Sequence, residues 1–456
     1  MKVLLISANT LPASPSGPAY VAGAVRQAGH EVSVYESLFA VDLPAELAAG
    51  LDGSQPDVVG ISIRLVHGDV QDASAPLGTR YVDLRPRVRE IVDTVRRCSP
   101  AFIVLGGPGF NYYARDWLDY LGVDYGIRGE GEESLPLFLE RLAEDGDIGS
   151  VPGCVYRRNG GFGATPPRRV EDLDGPALPA YDLFDMAQYA QHNITPAILT
   201  KRGCAFGCTY CPYSKLEGKR YRLKSPERVL AEIRHVLSHT PVRRIMICDN
   251  NLNAPRRHAE ALCHAFIAAA GSPNPPGFSW GTGDLRPMGI SDEFCHLVQD
   301  SGCFYANLAV ESASDTMLQR MRRGYTAQDV RASLEALSRS SIPFGASLMF
   351  GAAGETPDSI AETLAVMDDY DIPRGVWVTL GIYVWTDLQD IAAEARQAGV
   401  VKIGSGESLF DGPVYFSPEL PVSYLVDLVG ALRARPGYTV QVNRADLLEQ
   451  RMGRGW

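Results

Sequence analysis

Two long stretches of this chain alternate short apolar runs with amphipathic segments, a pattern that admits little besides parallel sheets covered by helices on both faces. In residues 1–145 the apolar runs fall at 3–7, 31–35, 58–62, 102–105 and 125–128, with helical patterns between them such as 20–28 and 84–97. This predicts a doubly wound, Rossmann-like α/β domain. Ligands of such a sheet sit beyond the carboxyl ends of the strands, near the reversal of strand order. The candidate loops are 9–18, 64–80, 106–111 and 129–132. Residues 146–193 are Pro- and Gly-rich and read as a linker with one hairpin turning at Asn159-Gly160. From 194 to 400 the alternation resumes six times, with strands near 197, 244, 278, 304, 345 and 377, predicting a partial (β/α)6 TIM-type barrel. Residues 401–456 are expected to form a small helical extension whose basic end frays.

Between the first two barrel strands lies Cys204-Ala-Phe-Gly-Cys208-Thr-Tyr-Cys211, three thiols within eight residues. Such spacings let one loop wrap an iron–sulfur cluster, and three local thiolates on four irons leave one coordination position open. A zinc loop or a disulfide is the alternative. Zinc usually takes a fourth Cys or His nearby, and the nearest downstream histidine, His235, falls in a helical pattern. The other six cysteines form no second tight cluster and are expected to be reduced and mostly buried. A further site from Cys248, Cys263, Cys295 and Cys303 would have to join residues separated by helical and strand patterns.

The formal charge of −11 disfavours a broad phosphate-binding surface, so a small-molecule or peptide substrate is favoured over nucleic acid. No stretch reaches the ~18 apolar residues of a membrane span, and the apolar run at residues 3–6 is too short for a secretory signal. A cytoplasmic protein without a membrane partner is expected.

The cysteine loop, with Tyr210 directly before its third thiol, resembles the signature of the radical S-adenosylmethionine (SAM) superfamily. The resemblance implies a [4Fe-4S] cluster on Cys204, Cys208 and Cys211 whose open iron is chelated by SAM. It further implies a reducing partner such as flavodoxin or ferredoxin, whose electron cleaves SAM to a 5'-deoxyadenosyl radical. Residues 1–145 resemble the cobalamin-binding module that precedes the radical domain in one large subfamily. The features are Gly17-Pro18 with Gly29-His30-Glu31-Val32, Asp57 to Ser62, Gly106-Gly107-Pro108, and Arg128-Gly129-Glu130-Gly131-Glu132. The implied cobalamin contacts are Asn9, Ser62, Arg64, Leu65, Gly106, Gly107, Pro108, Gly109, Gly129, Glu130 and Gly131. The glycines would let the backbone approach a flat corrin ring. The Asp-X-His-X-X-Gly motif that supplies a lower axial histidine elsewhere is absent, and His67 reads as a solvated loop residue rather than a ligand. A vestigial module is the alternative.

Along 303–311 strand parity turns Tyr305, Asn307 and Glu311 toward the lumen, and along 344–350 it turns Ser347 inward. Glu311-Ser312 resembles the family's Glu-Ser pair at the SAM amino acid, Ser347 its ribose contact, and the segment from Gly351 to Glu355 its glycine turn near adenine. Asp249 and Asn250 fall where the family has an Asp-Asp-Asn-like segment beside the methionine amino group, though without the usual acidic pair. Arg323 falls where a basic residue meets the SAM carboxylate, with a solvated arginine as the alternative. On the sixth strand Trp377, Thr379, Gly381, Tyr383 and Trp385 share one parity, giving an aromatic wall or an ordinary core. Substrate would meet Tyr305, Asn307, Tyr383 and Trp385. The whole implies cobalamin-dependent radical methylation of an unactivated carbon or a phosphinate-type centre. Ring contraction, cyclisation, sulfur insertion and a cobalamin-binding sensor are the other readings.

Overall fold

The computed structural model describes residues 1–9, 11–270, 277–399 and 409–452. The chain divides into two compact units. One comprises Met1–Gly68, Asp83–Ile198 and Glu227–Arg243; the other comprises Asp69–Val82, Leu199–Pro226 and the chain from Arg244 onward.

In the first unit Glu31–Glu36, Lys2–Ser7, Val58–Ser62, Phe102–Gly106 and Tyr125–Ile127 lie side by side in that order, all parallel. Strand order reverses beside Lys2–Ser7, which puts the switch point between it and Val58–Ser62. The strands are near-continuous apolar runs because helices cover both faces. Val3, Leu5, Val58, Val104 and Ile127 share a core with Ala22 and Val25 of helix Ser16–Gln27 and Phe138 and Leu139 of helix Gly131–Ala143. Helix Arg85–Cys98 buries Val88, Ile91, Val92 and Val95, the i, i+3, i+4, i+7 stripe of an amphipathic helix.

The hairpin forms as expected, from Cys154–Arg158 and Gly161–Ala164, with Asn159 and Gly160 at φ of +49° and +76°. Positive φ at both turn residues suits the right-handed twist of the flanking strands. It is not a free-standing linker element, however. Cys154–Arg158 pairs antiparallel with Tyr125–Ile127, so the hairpin extends the sheet to seven strands and covers an edge that would otherwise be unpaired.

In the second unit Arg244–Ile247, Ser279–Leu285, Cys303–Glu311, Phe344–Phe350 and Val376–Leu380 run parallel and adjacent in chain order. The carboxyl-terminal segment departs from the expected helical extension. After helix Val422–Arg433, strand Tyr438–Val442 adds parallel to Val376–Leu380, and helix Ala445–Met452 follows. The expected boundary at 400–401 and the basic end at 453–456 lie outside the described residues.

The aromatic wall does not form. Val376–Leu380 ends at Gly381, whose φ is +85° and where a Cβ would lie 2.6 Å from the Phe416 ring. Beyond that break Ile382–Tyr383 pairs antiparallel with Val414–Tyr415. Trp377 and Tyr383 therefore belong to different ladders, one 41% exposed and the other 8%. Tyr383 stacks on Trp385 at 5.8 Å and donates to Asp69 Oδ2 at 2.5 Å. Among the described residues, no helix is long and apolar enough to cross a membrane.

Candidate functional site

Lys201–Arg202 pairs antiparallel with Arg222–Leu223 and closes the base of the cysteine loop. Gly203 starts the loop at φ +90°, where a Cβ would stand 2.3 Å from the Arg220 carbonyl oxygen. Only glycine fits that turn. Cys204 N donates to Gly218 O at 2.9 Å, and Cys211 N to Cys208 O at 3.2 Å, so backbone bonds shape the loop independently of any metal. All three thiols are half-buried and free of disulfides. Burial raises the Cys204 pKa and pushes that of Cys211 up to about 12, so metal binding must expel protons.

Among the described residues, the group whose ligand atoms come within 4.8 Å of one another is Asp182, His235 and His239, and the three cysteines do not form such a group. Asp182 is already held by Arg26 at 2.6 Å, which weakens it as a ligand. Of the other six cysteines four are buried, while Cys98 and Cys248 are exposed.

Donors surround the loop. Asn251 Nδ2 lies 3.6 Å from Cys204 Sγ, Arg323 Nη1 3.6 Å from Cys208 Sγ, and Arg286 Nη1 4.0 Å from the same sulfur. Hydrogen bonds and positive charge beside cluster sulfurs tune redox potential. Arg323 is buried, not solvated. It donates to Tyr210 Oη at 2.5 Å, Tyr325 Oη at 2.8 Å and Ala309 O at 2.9 Å, and lies 3.7 Å from Glu311 Oε1. Gln389 Nε2 donates to the Tyr210 carbonyl at 2.5 Å, so Tyr210 is fixed at ring and backbone alike.

Arg286 escaped the sequence reading. It is buried, its guanidinium lies 3.6 Å over the ring of Phe206 within the cysteine loop, and its Nε and Nη2 have no hydrogen-bond partner among the described residues. A buried guanidinium with two idle donors fits an anion such as the SAM carboxylate.

The carboxylates divide sharply. Asp249 is turned into the wall. Its oxygens accept from Thr200 N at 2.7 Å, Thr200 Oγ1 at 2.5 Å and Lys201 Nζ at 2.9 Å, and its side chain has no exposed surface. It is therefore not available to a ligand, contrary to expectation. Ser312 is likewise buried and spent on Thr363 Oγ1 at 3.0 Å. Asn250 Nδ2 is held by Glu217 Oε2 at 2.8 Å.

Glu311 sits at φ +60°, unusual for a non-glycine residue, beside a register break with Phe344–Phe350. Burial raises its pKa and Arg323 opposes the shift. Inward parity holds for its strand. Asn307 Nδ2 donates to Ser347 Oγ at 3.1 Å, and a Cβ at Gly345 would lie 3.2 Å from Tyr305 Oη. Tyr305, Asn307 and Ser347 are thus brought to one side, while Glu311 lies past the register break.

Glu355 ties the glycine turn, Oε2 accepting from Gly351 N at 2.5 Å and Ala352 N at 3.1 Å while Oε1 has no partner among the described residues. Burial pushes its pKa up to about 8, against an ordinary value of 4.5. Between those pH values the folded chain retains a proton that the unfolded chain has lost, so stability falls as pH rises through this window. Glu355→Gln should flatten that part of the profile. Melting temperatures of the two proteins from pH 5 to 9 check this, and parallel curves would refute it.

In the first unit Ser7, Ser62 and Gly106 align at the carboxyl edge of three neighbouring strands. Asn9 lies buried just beyond, its carbonyl accepting from Ser37 Oγ at 3.0 Å. The glycines there serve the chain itself. At Gly107, φ +91°, a Cβ would lie 2.5 Å from Ile63 O, and at Gly109 it would lie 3.1 Å from Leu65 N. They pin residues 63–65 to the edge, leaving Arg64 exposed and Leu65 half-buried, with Pro108 exposed beside them. An edge of this kind suits a flat ring. Gly129 N donates to Asn111 Oδ1 at 2.8 Å, Glu130 Oε2 accepts from Val170 N at 2.8 Å, and a Cβ at Gly131 would lie 3.0 Å from Val21, so these three hold the neighbouring loop. His67 is buried in a strand, at 7% exposure, not solvated.

Comparison with known proteins agrees with this geometry. Residues 2–139 match the B12 binding domain and residues 198–367 the radical SAM superfamily. An uncharacterised methyltransferase of Pyrococcus horikoshii is 25% identical over 405 residues, 86% of this chain and 83% of that protein. The anaerobic magnesium-protoporphyrin IX monomethyl ester cyclase of Synechocystis is 22% identical over 386 residues, 84% of this chain and 73% of that protein. The fold is shared with the radical SAM methyltransferase TsrM of Kitasatospora setae, solved with cobalamin and a [4Fe-4S] cluster. The TM-score is 0.77 at 22% identity, over 92% of this chain and 84% of that one. With both domains present and in this order, the chain belongs to the B12-binding branch of the radical SAM superfamily.

Proposed function

We propose that this chain is a cobalamin-dependent radical SAM methyltransferase that modifies an unactivated carbon, or a phosphinate-type centre, of a small-molecule or peptide substrate. The observation that carries the reading is the three-thiol loop beside two buried arginines, in a chain that also holds a B12 binding domain. When bound, the cluster supplies the electron that cleaves SAM and cobalamin supplies the methyl group. Cys204, Cys208 and Cys211 would hold the cluster, and the residues at the first sheet's carboxyl edge would hold cobalamin.

The protein's part is placement and electrostatics. Arg323 and Arg286 put positive charge beside Cys208, which favours acceptance of an electron at the cluster. Tyr305, Asn307 and Ser347 present hydroxyl and amide groups on the lumen side for SAM or substrate. A flavodoxin or ferredoxin would supply the electron. The net charge of −11 supports a small or cationic substrate over nucleic acid.

Anaerobic turnover tests the reading. S-adenosylhomocysteine together with 5'-deoxyadenosine supports it. A second reading, radical cyclisation, is favoured by the similarity to the cyclase, which spans almost as much of this chain as the methyltransferase does. It predicts 5'-deoxyadenosine without S-adenosylhomocysteine. Absence of both after reduction with dithionite would overturn the enzyme reading.

A further inference from the structure

Away from the cysteine loop, a second cluster of ligand-bearing side chains lies wholly within the first unit. Asp182 sits in the short turn Tyr181–Leu183. His235 and His239 lie at the carboxyl end of helix Pro226–Ser238 and in the turn that continues it, His239 N donating to Val236 O at 3.0 Å. Four residues apart, the two imidazoles share one face. Their ring centroids are 4.9 Å apart and the planes are inclined at 69°. One ligand atom from each of the three side chains lies within 4.8 Å of the others, and His235 Nε2 is 3.8 Å from Asp182 Oδ1.

His235 Nε2 is buried and has no hydrogen-bond partner among the described residues. A buried polar atom left in that state calls for a partner, and an ion or an ordered water can supply one. Burial, with His239 adding to it, lowers the His235 pKa below its ordinary 6.5, so at neutral pH the ring is uncharged, the form that binds metal. The Pro179 carbonyl hydrogen-bonds the same ring, as backbone carbonyls commonly do beside metal-bound imidazoles. Asp182 is the weak member. Arg26 donates to both of its oxygens, Nη1 to Oδ2 at 2.6 Å and Nη2 to Oδ1 at 3.1 Å. Each carboxylate oxygen has a second lone pair, and Oδ1, which faces His235, carries the longer bond. A guanidinium that close repels a dication, which makes the site exchangeable rather than tight. Ligands placed tetrahedrally about 2.1 Å from zinc lie about 3.4 Å apart. The 3.8 Å pair therefore needs little adjustment, and His239, being exposed, has room to complete the set.

We propose that Asp182, His235 and His239 form an exchangeable site for one borderline divalent ion of the zinc class, which ties the turn Tyr181–Leu183 to the end of helix Pro226–Ser238. Two imidazoles and one carboxylate oxygen suit such an ion and leave a fourth position to water, whereas Mg²⁺ takes all-oxygen octahedral surroundings. The site shares no residue with the cysteine loop or the first sheet's carboxyl edge, so it stands independently of the enzymatic reading. Arg26 opposes the ion, and its removal should strengthen binding. A cluster held together only by the Arg26–Asp182 pair predicts no such gain.

The test is equilibrium dialysis of Zn²⁺ into anaerobically reconstituted full-length protein, first stripped of loosely held metal with a chelator. Iron and sulfide are measured in parallel, so that any exchange at the cysteines is scored separately. Wild-type protein should take up about one Zn²⁺ per chain while keeping its iron, and excess Mg²⁺ should not compete. His239→Ala, at an exposed position, should weaken uptake about tenfold or more, and His235→Gln should do the same. Arg26→Gln should tighten it about threefold or more. If His235→Gln, at the more buried position, loses iron or stability, His239→Ala decides alone. Absence of saturable uptake by the wild type, uptake unchanged in the histidine variants, or weaker uptake by Arg26→Gln would each overturn the assignment.

Discussion

Cys208→Ala is expected to reduce dithionite-driven cleavage of SAM to the background of iron-free protein, with cluster iron and the cluster absorbance lost together. The loop should persist. Its framework is the Lys201–Arg202 ladder, the Gly203 turn and backbone bonds from Cys204 N and Cys211 N, none of which uses the Cys208 side chain. What disappears is one of three thiolates, and a cluster with two protein ligands exposes two irons to solvent. Arg323 and Arg286 would then face an empty corner at 3.6 and 4.0 Å from where the sulfur stood. Cys98→Ser, at an exposed position remote in sequence from the loop, serves as the matched control and should leave iron content unchanged. A Cys208→Ala protein that retains four irons and cleaves SAM at the wild-type rate would end the cluster assignment. One that instead binds a single zinc would restore the structural-metal alternative.

The sequence made the alternating framework legible because strands of a parallel sheet, covered on both faces, read as unbroken apolar runs. Val58–Ser62 appeared at its observed bounds, and the five parallel strands from Arg244–Ile247 to Val376–Leu380 lay close to where the sequence put them. The thiol loop was legible for a different reason: its ligands are local, so spacing alone defines it. Legibility failed where backbone geometry breaks period-two alternation. Arg286 lies just beyond a bulge in Trp-Gly-Thr-Gly-Asp, a run with too few apolar residues to reveal its parity. The aromatic wall failed at Gly381, where positive φ ends the strand. Strand Tyr438–Val442 does alternate and follows Pro436-Gly437, a turn signal, but it is one isolated run among helices. Asp249 shows a different limit. Motif position gives a residue's place along the chain, not the direction of its side chain.

That direction carries a second large effect. Lys201→Met should destabilise the protein by about 3–5 kcal/mol, the usual cost of leaving one partner of a buried ion pair alone. Lys201 and Asp249 have side-chain exposures of 1% and 0%, and Lys201 Nζ also donates to Leu252 O at 3.1 Å. Methionine fills much the same volume, so packing is largely preserved and the measured loss reports the unpaired carboxylate. The adjoining network offers little relief. His258 Nε2 lies 3.1 Å from Thr200 Oγ1, and burial, with Lys201 adding to it, pushes the His258 pKa down to about 4, so the imidazole is neutral at working pH. Once Lys201 is removed, the repulsion holding His258 neutral is lost while Asp249 still attracts a proton to it, so the His258 pKa should rise. Lys201→Met combined with Asp249→Leu should recover much of the stability, since two apolar groups leave no buried charge. Because Lys201 lies three residues before Cys204 in the ladder that closes the loop, the single variant should also reconstitute with less iron, whereas the double variant should regain it. Denaturation midpoints under anaerobic conditions, read together with iron content, separate these outcomes. A single variant within about 1 kcal/mol of wild type would mean that water reaches the carboxylate and that this pair does not anchor the loop.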